Sequence, residues 1–393
     1  MKTFVQIMVM LLLSSCGLGQ VDVGVHSDAD GIWYGPSYGK HISGTVYTVG
    51  LDYPDGYDWK ADVNKGTVKC SLVMFADGIP VLKIPVGDRY EVSSDNSRHR
   101  LRSGCLYTDF TDGNTTVIRR DGLEVVRFVG AEDIVDVEIH DGSLHSLGCP
   151  RGGSGFVYRV DGEVIVERES GSLLSGLSIC DDKVCFCFSR NTATSSGTVL
   201  NYYLSEDGKV SIVETDEDVE EILDMGVYAE GLYRLARIKG VGAPVLIKGE
   251  SRKSVNYFST LDIVSCRFMD TGSMCARVRY RHPGSDYMSD IVWTEDAGWK
   301  RFMRGGMITS LVNDRNGYHA VVYSSELEEG AVFSGNNRMD LDPGYYAYGE
   351  NCLTVRDSIV YVGLTSRNGN TAMIWKNGDL DTLKINGPVT CLQ

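Results

Sequence analysis

Aromatic residues and arginines gather in stretches of this chain that lack the alternation of a strand. Tyr53, Tyr57 and Trp59 stand within residues 51–66, among aspartates and lysines. Tyr280, His282 and Tyr287 form a second group, and Tyr345, Tyr346 and Tyr348 a third. Arg151, Arg190 and Arg367 sit in three further stretches of the same kind. Aromatic faces near Arg and Asp suit sugar rings, which offer apolar C–H faces and a rim of hydroxyls. The same set suits a protein partner, because Tyr, Trp and Arg dominate interface hot spots. Loops on a rigid scaffold commonly carry such function.

Catalytic signatures are harder to find. The chain has no Gly-x-Ser-x-Gly elbow, no His-Glu-x-x-His and no phosphate-cradling loop. Its seven histidines are scattered, and only His140 and His145 flank one turn; polar turn residues account for that pair without a metal. Abundant acids leave a glycosidase pair open but select none. Thr294-Glu295-Asp296-Ala297-Gly298-Trp299 and Ser205-Glu206-Asp207-Gly208 are similar to the Asp-box of sialidase-type propellers, though the first lacks the spacing before Trp299 and the second has no Trp. Asp-boxes are structural turns, away from the chemistry. We therefore read the chain as a non-catalytic binding module for a glycan or a protein, with no cofactor and no metal. A carbohydrate-active hydrolase or lyase and a structural part of an envelope assembly are the two alternatives.

The elements that must hold these loops show themselves through glycines. Apolar strands run into Asp-Gly or Asn-Gly pairs, as in Trp375-Lys376-Asn377-Gly378, and run out again. Such pairs are a strong hairpin signal, because both central residues of a type I′ turn need positive φ. Counting a stretched copy at Gly298 and degraded copies at Gly249 and Gly335, the corresponding glycines fall at 78, 122, 162, 208, 249, 298, 335 and 378, at steps of 44, 40, 46, 41, 49, 37 and 43. A period near 40–45 with several short strands per unit is the mark of propeller blades. Each unit reads as strand A, turn, strand B, longer loop, strand C, glycine hairpin and strand D. We expect an all-β propeller of eight four-stranded antiparallel blades, or seven if the unit around Gly335 merges with its neighbour. Residues 389–392 look like a strand A with no unit after it, and residues 44–50 like a strand B with none before. Their pairing would close the ring and leave no open sheet edge. In this order the B–C loops and D–A connections emerge on one face, opposite the glycine hairpins.

Residues 1–15 read as a signal segment, 16–43 as a tether with an aromatic entry stretch that packs on the ring, and 44–393 as one propeller domain. An apolar run over residues 4–13 is too short to span a bilayer as an ordinary helix. Leu13-Ser14-Ser15-Cys16 resembles the lipobox of bacterial lipoproteins, which implies cleavage before Cys16 and lipid on that cysteine. The formal charge of −15 without a basic stripe argues against nucleic acid. Most of the cysteines lie inside apolar strands, which favours buried thiols over a disulfide framework. Apolar strands closing on Trp-Lys-Asn-Gly or its variants resemble the repeat propeller lipoproteins of Bacteroidetes. That resemblance implies an exported protein of the cell envelope, anchored in the outer membrane with its side undecided, and implies no particular activity. Replacing Cys16 by Ser should abolish fatty-acid labelling and leave an uncleaved precursor; label that persists in the variant would end the lipobox reading.

Overall fold

The turn chemistry sets the geometry first. Asp77, Asp121, Asp161, Asp207 and Asn377 all have φ between 46° and 51°, each followed by a glycine of positive φ. These are the consecutive left-handed residues of a type I′ turn, and short Asp and Asn tolerate that region where bulkier residues do not. The turn residue also reaches across its own sheet. Its N–H donates to a carbonyl near the start of strand B, and its Oδ1 accepts the N–H of that same residue. Asp77 holds Val46 in this way at 3.0 and 3.0 Å, Asp121 holds Leu106 at 2.7 and 2.8 Å, and Asp161 holds Leu144 at 2.8 and 2.8 Å. Asp207 holds Val184 at 2.9 and 2.9 Å, and Asn377 holds Val360 at 3.2 and 3.0 Å. One residue thus fixes the C–D turn and ties it to the A–B end of the blade.

The computed structural model describes residues 26–27, 31–35, 37–39, 44–59, 70–86, 99–194, 197–228, 231–241, 243–255, 262–269, 275–281, 288–294, 298–314, 317–324, 326–367 and 371–393. Residues 1–15, read above as a signal segment, and Cys16, His282 and Tyr287 lie outside the described residues. Those residues form eight antiparallel sheets of the A–B–C–D pattern, an eight-bladed propeller. Blade 3 is typical: Glu132–His140, Ser143–Pro150, Phe156–Val160 and Glu163–Arg168. The unit around Gly335 is a blade of its own, with Glu329–Ser334 and Asn337–Leu341 as strands C and D. Eight blades therefore hold, and the seven-blade alternative does not. Blade 4 departs from the pattern: its strands B and C, Lys183–Thr194 and Gly197–Glu206, run on as a projecting hairpin.

Neighbouring blades are sealed by apolar faces and a few buried polar ties. Phe156, Tyr158, Phe186 and Phe188 interlock between blades 3 and 4. Asp136 of blade 3 accepts from Arg102 of blade 2 at 2.8 Å and from the Leu177 N–H leading into blade 4 at 3.0 Å. Fully buried Asp290 of blade 6 takes Arg277 and Arg279 of its own sheet and the Ile308 N–H of blade 7. Cys70, Cys105, Cys149, Cys180, Cys185, Cys187, Cys352 and Cys391 are free thiols, and all but Cys149 are buried.

Both ends of the described chain meet in blade 1. Val389–Leu392 is its strand A, paired with Tyr47–Asp52 through Thr48↔Leu392 and Val49↔Cys391. Glycines make room where blades 8 and 1 meet. A Cβ on Gly363 would stand 2.3 Å from Val389 of the closing strand, and one on Gly50 would stand 2.2 Å from Ile385 of blade 8. At the outer edge, Ile32–Tyr34 adds to strand D (Ile79–Val86) through Trp33↔Lys83 and Tyr34↔Leu82, and His26–Ser27 adds beyond it. The aromatic entry stretch packs as expected, and it reaches blade 2 as well. Tyr38 donates to Asp121 Oδ2 at 2.7 Å, and Tyr34 donates to the Asp121 carbonyl at 3.0 Å.

Two outcomes follow from these contacts. Asp161→Ala should cost about 1–3 kcal/mol in a denaturant melt, because a buried N–H loses its acceptor and alanine resists positive φ. Asp161→Asn should stay close to the parent, since Asn377 plays the same part in blade 8; equal losses in both variants would contradict the clamp. His99, on blade 2, is buried against Thr390 of the closing strand, with Nε2 2.7 Å from Oγ1. Burial, with Arg100 adding to it, pushes its pKa from the usual 6.5 down to about 3. Between those values the unfolded chain holds a proton that the folded chain lacks, so this residue's stabilisation is complete above pH 6.5 and falls as pH drops toward 3. Stability curves over that window should be shallower for His99→Gln by up to about 1.4 kcal/mol per pH unit; parallel curves would refute the assignment.

Candidate binding face

Tight A–B turns, such as Asp141-Gly142 and Asp357-Ser358, lie at the same end of the blades as the clamped C–D turns. The opposite face, with its B–C loops and D–A connections, is where chain length varies. The blade 1 B–C loop carries Tyr53, Tyr57 and Trp59. Blade 8 supplies Tyr345–Tyr346 and Tyr348 at its entry and Arg367 just past strand B, Ile359–Ser366. Ring closure makes these blades neighbours, with the Leu392 N–H donating to the Asn351 carbonyl at 2.7 Å.

The rings form a line across the two blades. Tyr57 lies 5.3 Å from Tyr53, which stacks on Trp59 at 6.3 Å. Trp59 meets Tyr348 edge-on at 5.4 Å, and Tyr348 lies 6.4 Å from Tyr346. Tyr53 and Trp59 are only 8% and 3% exposed, so they are the floor of the line. Tyr57, Tyr346 and Tyr348 are half-buried and form its surface. Asn386 of blade 8 pins the loop by donating from Nδ2 to the Pro54 carbonyl at 2.8 Å. Burial pushes the phenol of Tyr346 up to about 12, with Tyr348 adding to the rise and Arg367 opposing it, so the ring is a neutral hydroxyl donor.

The line ends at a cavity of about 290 Å3 between blades 7 and 8, lined by Tyr323, Leu341, Tyr345, Tyr346, Ala347 and Arg367 among others. The Arg367 guanidinium lies over the Tyr323 ring, 4.4 Å from its centroid. Its backbone N–H donates to the Gly344 carbonyl at 2.7 Å, which fixes the root of the side chain. The Arg367 Nε is buried without a hydrogen-bond partner. Among the described residues no carboxylate pairs with this arginine, whereas Arg159 pairs with Glu132 and Arg252 with Asp216 and Asp218.

Of the residues singled out from sequence, Tyr53, Tyr57, Trp59, Tyr345, Tyr346 and Arg367 thus come together over one sector. Arg151 stands apart on blade 3, paired with Asp133 at 2.7 Å. Arg190 lies not in a loop but within the long strand B of blade 4, opposite Asn201. Tyr280 is 1% exposed and packs in the core with Tyr233, Val278 and Trp293, so it offers no face to a ligand. Tyr323 escaped notice because it closes strand B of blade 7, Gly317–Ser324, inside an apolar run; an aromatic at the loop end of a strand B was the available signal.

The tight-turn face carries a different group. His140 Nε2 lies 3.0 Å from the Asp182 carbonyl, 3.7 Å from the Asp182 carboxylate and 3.8 Å from that of Asp141. These three residues could bring ligand atoms to one ion. Both carboxylates are exposed, and the contact with the carbonyl accounts for the ring's orientation. His145 turns away, with Nδ1 2.6 Å from the Tyr158 hydroxyl. The Asp207-Gly208 pair of the Asp-box-like stretch is one of the clamped turns, a structural use.

No family profile and no curated protein matches the chain. Among solved structures, the β-propeller domain of the Trilobed protease from Pyrococcus furiosus is similar at 14% identity over 72% of this chain and 90% of that one, with a TM-score of 0.44. An acylaminoacyl peptidase from Pyrococcus horikoshii is similar at 12% identity over 79% of this chain and 56% of that one, with a TM-score of 0.44. A eukaryotic initiation factor is similar at 10% identity over 89% and 98%, with a TM-score of 0.45. At this level of likeness none of the three carries an inference about what this chain does.

Proposed function

We propose that this chain is a lipid-anchored protein of the bacterial cell envelope whose propeller is a non-catalytic binding module for a glycan or protein ligand. The observation that carries the reading is the line of five rings that runs from blade 1 to blade 8 and ends at Arg367, with which no carboxylate pairs among the described residues. Aromatic anchors beside an arginine, with some rings half-open to solvent, are the composition of a binding hot spot.

The direction of the entry strands supports the same reading. Strand D of blade 1 leaves the tight-turn face, and Ile32–Tyr34 runs antiparallel to it. His26–Ser27 runs antiparallel in turn, so the chain enters that strand from the tight-turn side. An anchor ahead of it would leave the aromatic face pointing away from the membrane.

Binding to a polysaccharide panel and to purified envelope proteins should weaken about tenfold in Tyr57→Ala and in Tyr346→Ala, a loss of about 1.4 kcal/mol each. Lys376→Ala, on the tight-turn face, should bind like the parent. Loss confined to Lys376→Ala would place the function on the other face.

A further inference from the structure

Resting on that reading of the face, we infer that the cavity between blades 7 and 8 receives the C-terminal carboxylate of a peptide chain whose last side chain is apolar.

The charge comes first. The sequence holds 53 acidic against 38 basic residues, so an arginine has acids to spare as partners. Arg277 and Arg279 share Asp290, and Arg338 takes both Glu329 and Asp340. Arg367 instead lies on the face of Tyr323, as Arg119 lies on Phe110, but Arg367 also lines the cavity, and among the described residues no acid pairs with it. A stacked guanidinium keeps its charge and presents a planar fork suited to two carboxylate oxygens.

The walls select the body that carries the carboxylate. Val321, Val322, Leu341 and Ala347 line the cavity, and the hydroxyl of Thr309 is already given to the Val321 carbonyl at 3.2 Å. An acidic sugar carries hydroxyls around its ring and would bury several of them against aliphatic carbon, a costly arrangement. An aliphatic or aromatic side chain meets no such cost. The volume of about 290 Å3 is at the low end for ligand pockets and suits one terminal residue. The half-buried rings of Tyr346, Tyr348 and Tyr57, over the floor of Trp59 and Tyr53, then give the preceding residues a surface to lie on. A free small acid would leave that surface unused.

The test uses fluorescein-labelled hexapeptides ending in Leu, Val or Phe, each as free acid and as C-terminal amide, titrated into the folded propeller. N-acetyl-leucine and glucuronic acid serve as small competitors. The acid should bind at least tenfold tighter than the amide, and Arg367→Gln should erase that difference. Leu341→Phe, which adds bulk to the cavity lining, should weaken the acid peptides at a temperature where a thermal melt shows the variant still folded. Tyr57→Ala should weaken the peptides and leave N-acetyl-leucine competition unchanged. Equal binding of acid and amide, indifference to Arg367→Gln, displacement by glucuronic acid but not by N-acetyl-leucine, or no peptide binding at millimolar concentration would each overturn the inference. In those cases, envelope ligands still lost in Tyr57→Ala would show that the face binds and that only the carboxylate assignment has failed.

Discussion

A single side chain at the end of each regular blade does two things at once, and the ring depends on it. An Asp or Asn at positive φ turns strand C into strand D, and the same residue grips the start of strand B with one donor and one acceptor. A turn gripped in this way has no freedom to lengthen, because an inserted residue would move the carboxylate off the strand it holds. In blades 1, 2, 3, 4 and 8 the tight-turn face therefore repeats the same turn. Variation in length moves to the other end of the blades, where loops are held only at their roots, and that is the end where the aromatic line assembles. The division between a structural face and a variable face follows from the reach of an aspartate side chain.

Buried acids recur where blades meet. Asp136 and Asp290 each collect arginine and backbone donors from more than one sheet. A carboxylate removed from water is costly alone, but several charge-assisted hydrogen bonds offset that cost and fix the angle between neighbouring sheets. This accounts for part of the acidity of the chain and for the occupation of its buried arginines. Against that background Arg367 and Arg119 stand out as cations seated on rings, Tyr323 and Phe110, rather than on acids, and of the two it is Arg367 that lines the cavity.

Much of the fold was legible because it is written in local chemistry. Asp-Gly and Asn-Gly pairs declare their turns without help from tertiary structure, and their spacing declares the repeat. Closure was legible because residues 389–392 form a strand with no unit to follow it. The site was less so. Tyr53, Tyr57 and Trp59 share one loop and could be read together, but the contact of Arg367 with Tyr323 joins two blades and appears in no local pattern. Tyr280 reads like its neighbours His282 and Tyr287, yet it falls one alternation inside the end of a strand and points into the core. Arg190 was placed in a loop because the other blades end strand B sooner, and nothing short-range announces that blade 4 runs on.

The two edges of blade 1 also differ as mechanical elements. The closing strand sits innermost, paired with Tyr47–Asp52 and packed close against Gly363. The entry strands sit outermost and are held by a short ladder, Trp33 and Tyr34 on strand D and His26 and Ser27 beyond. The short ladder is backed from the side by the Tyr34 and Tyr38 hydroxyls, which cross to Asp121 of blade 2, so the same aspartate that clamps the blade 2 turn also holds the entry segment against the ring.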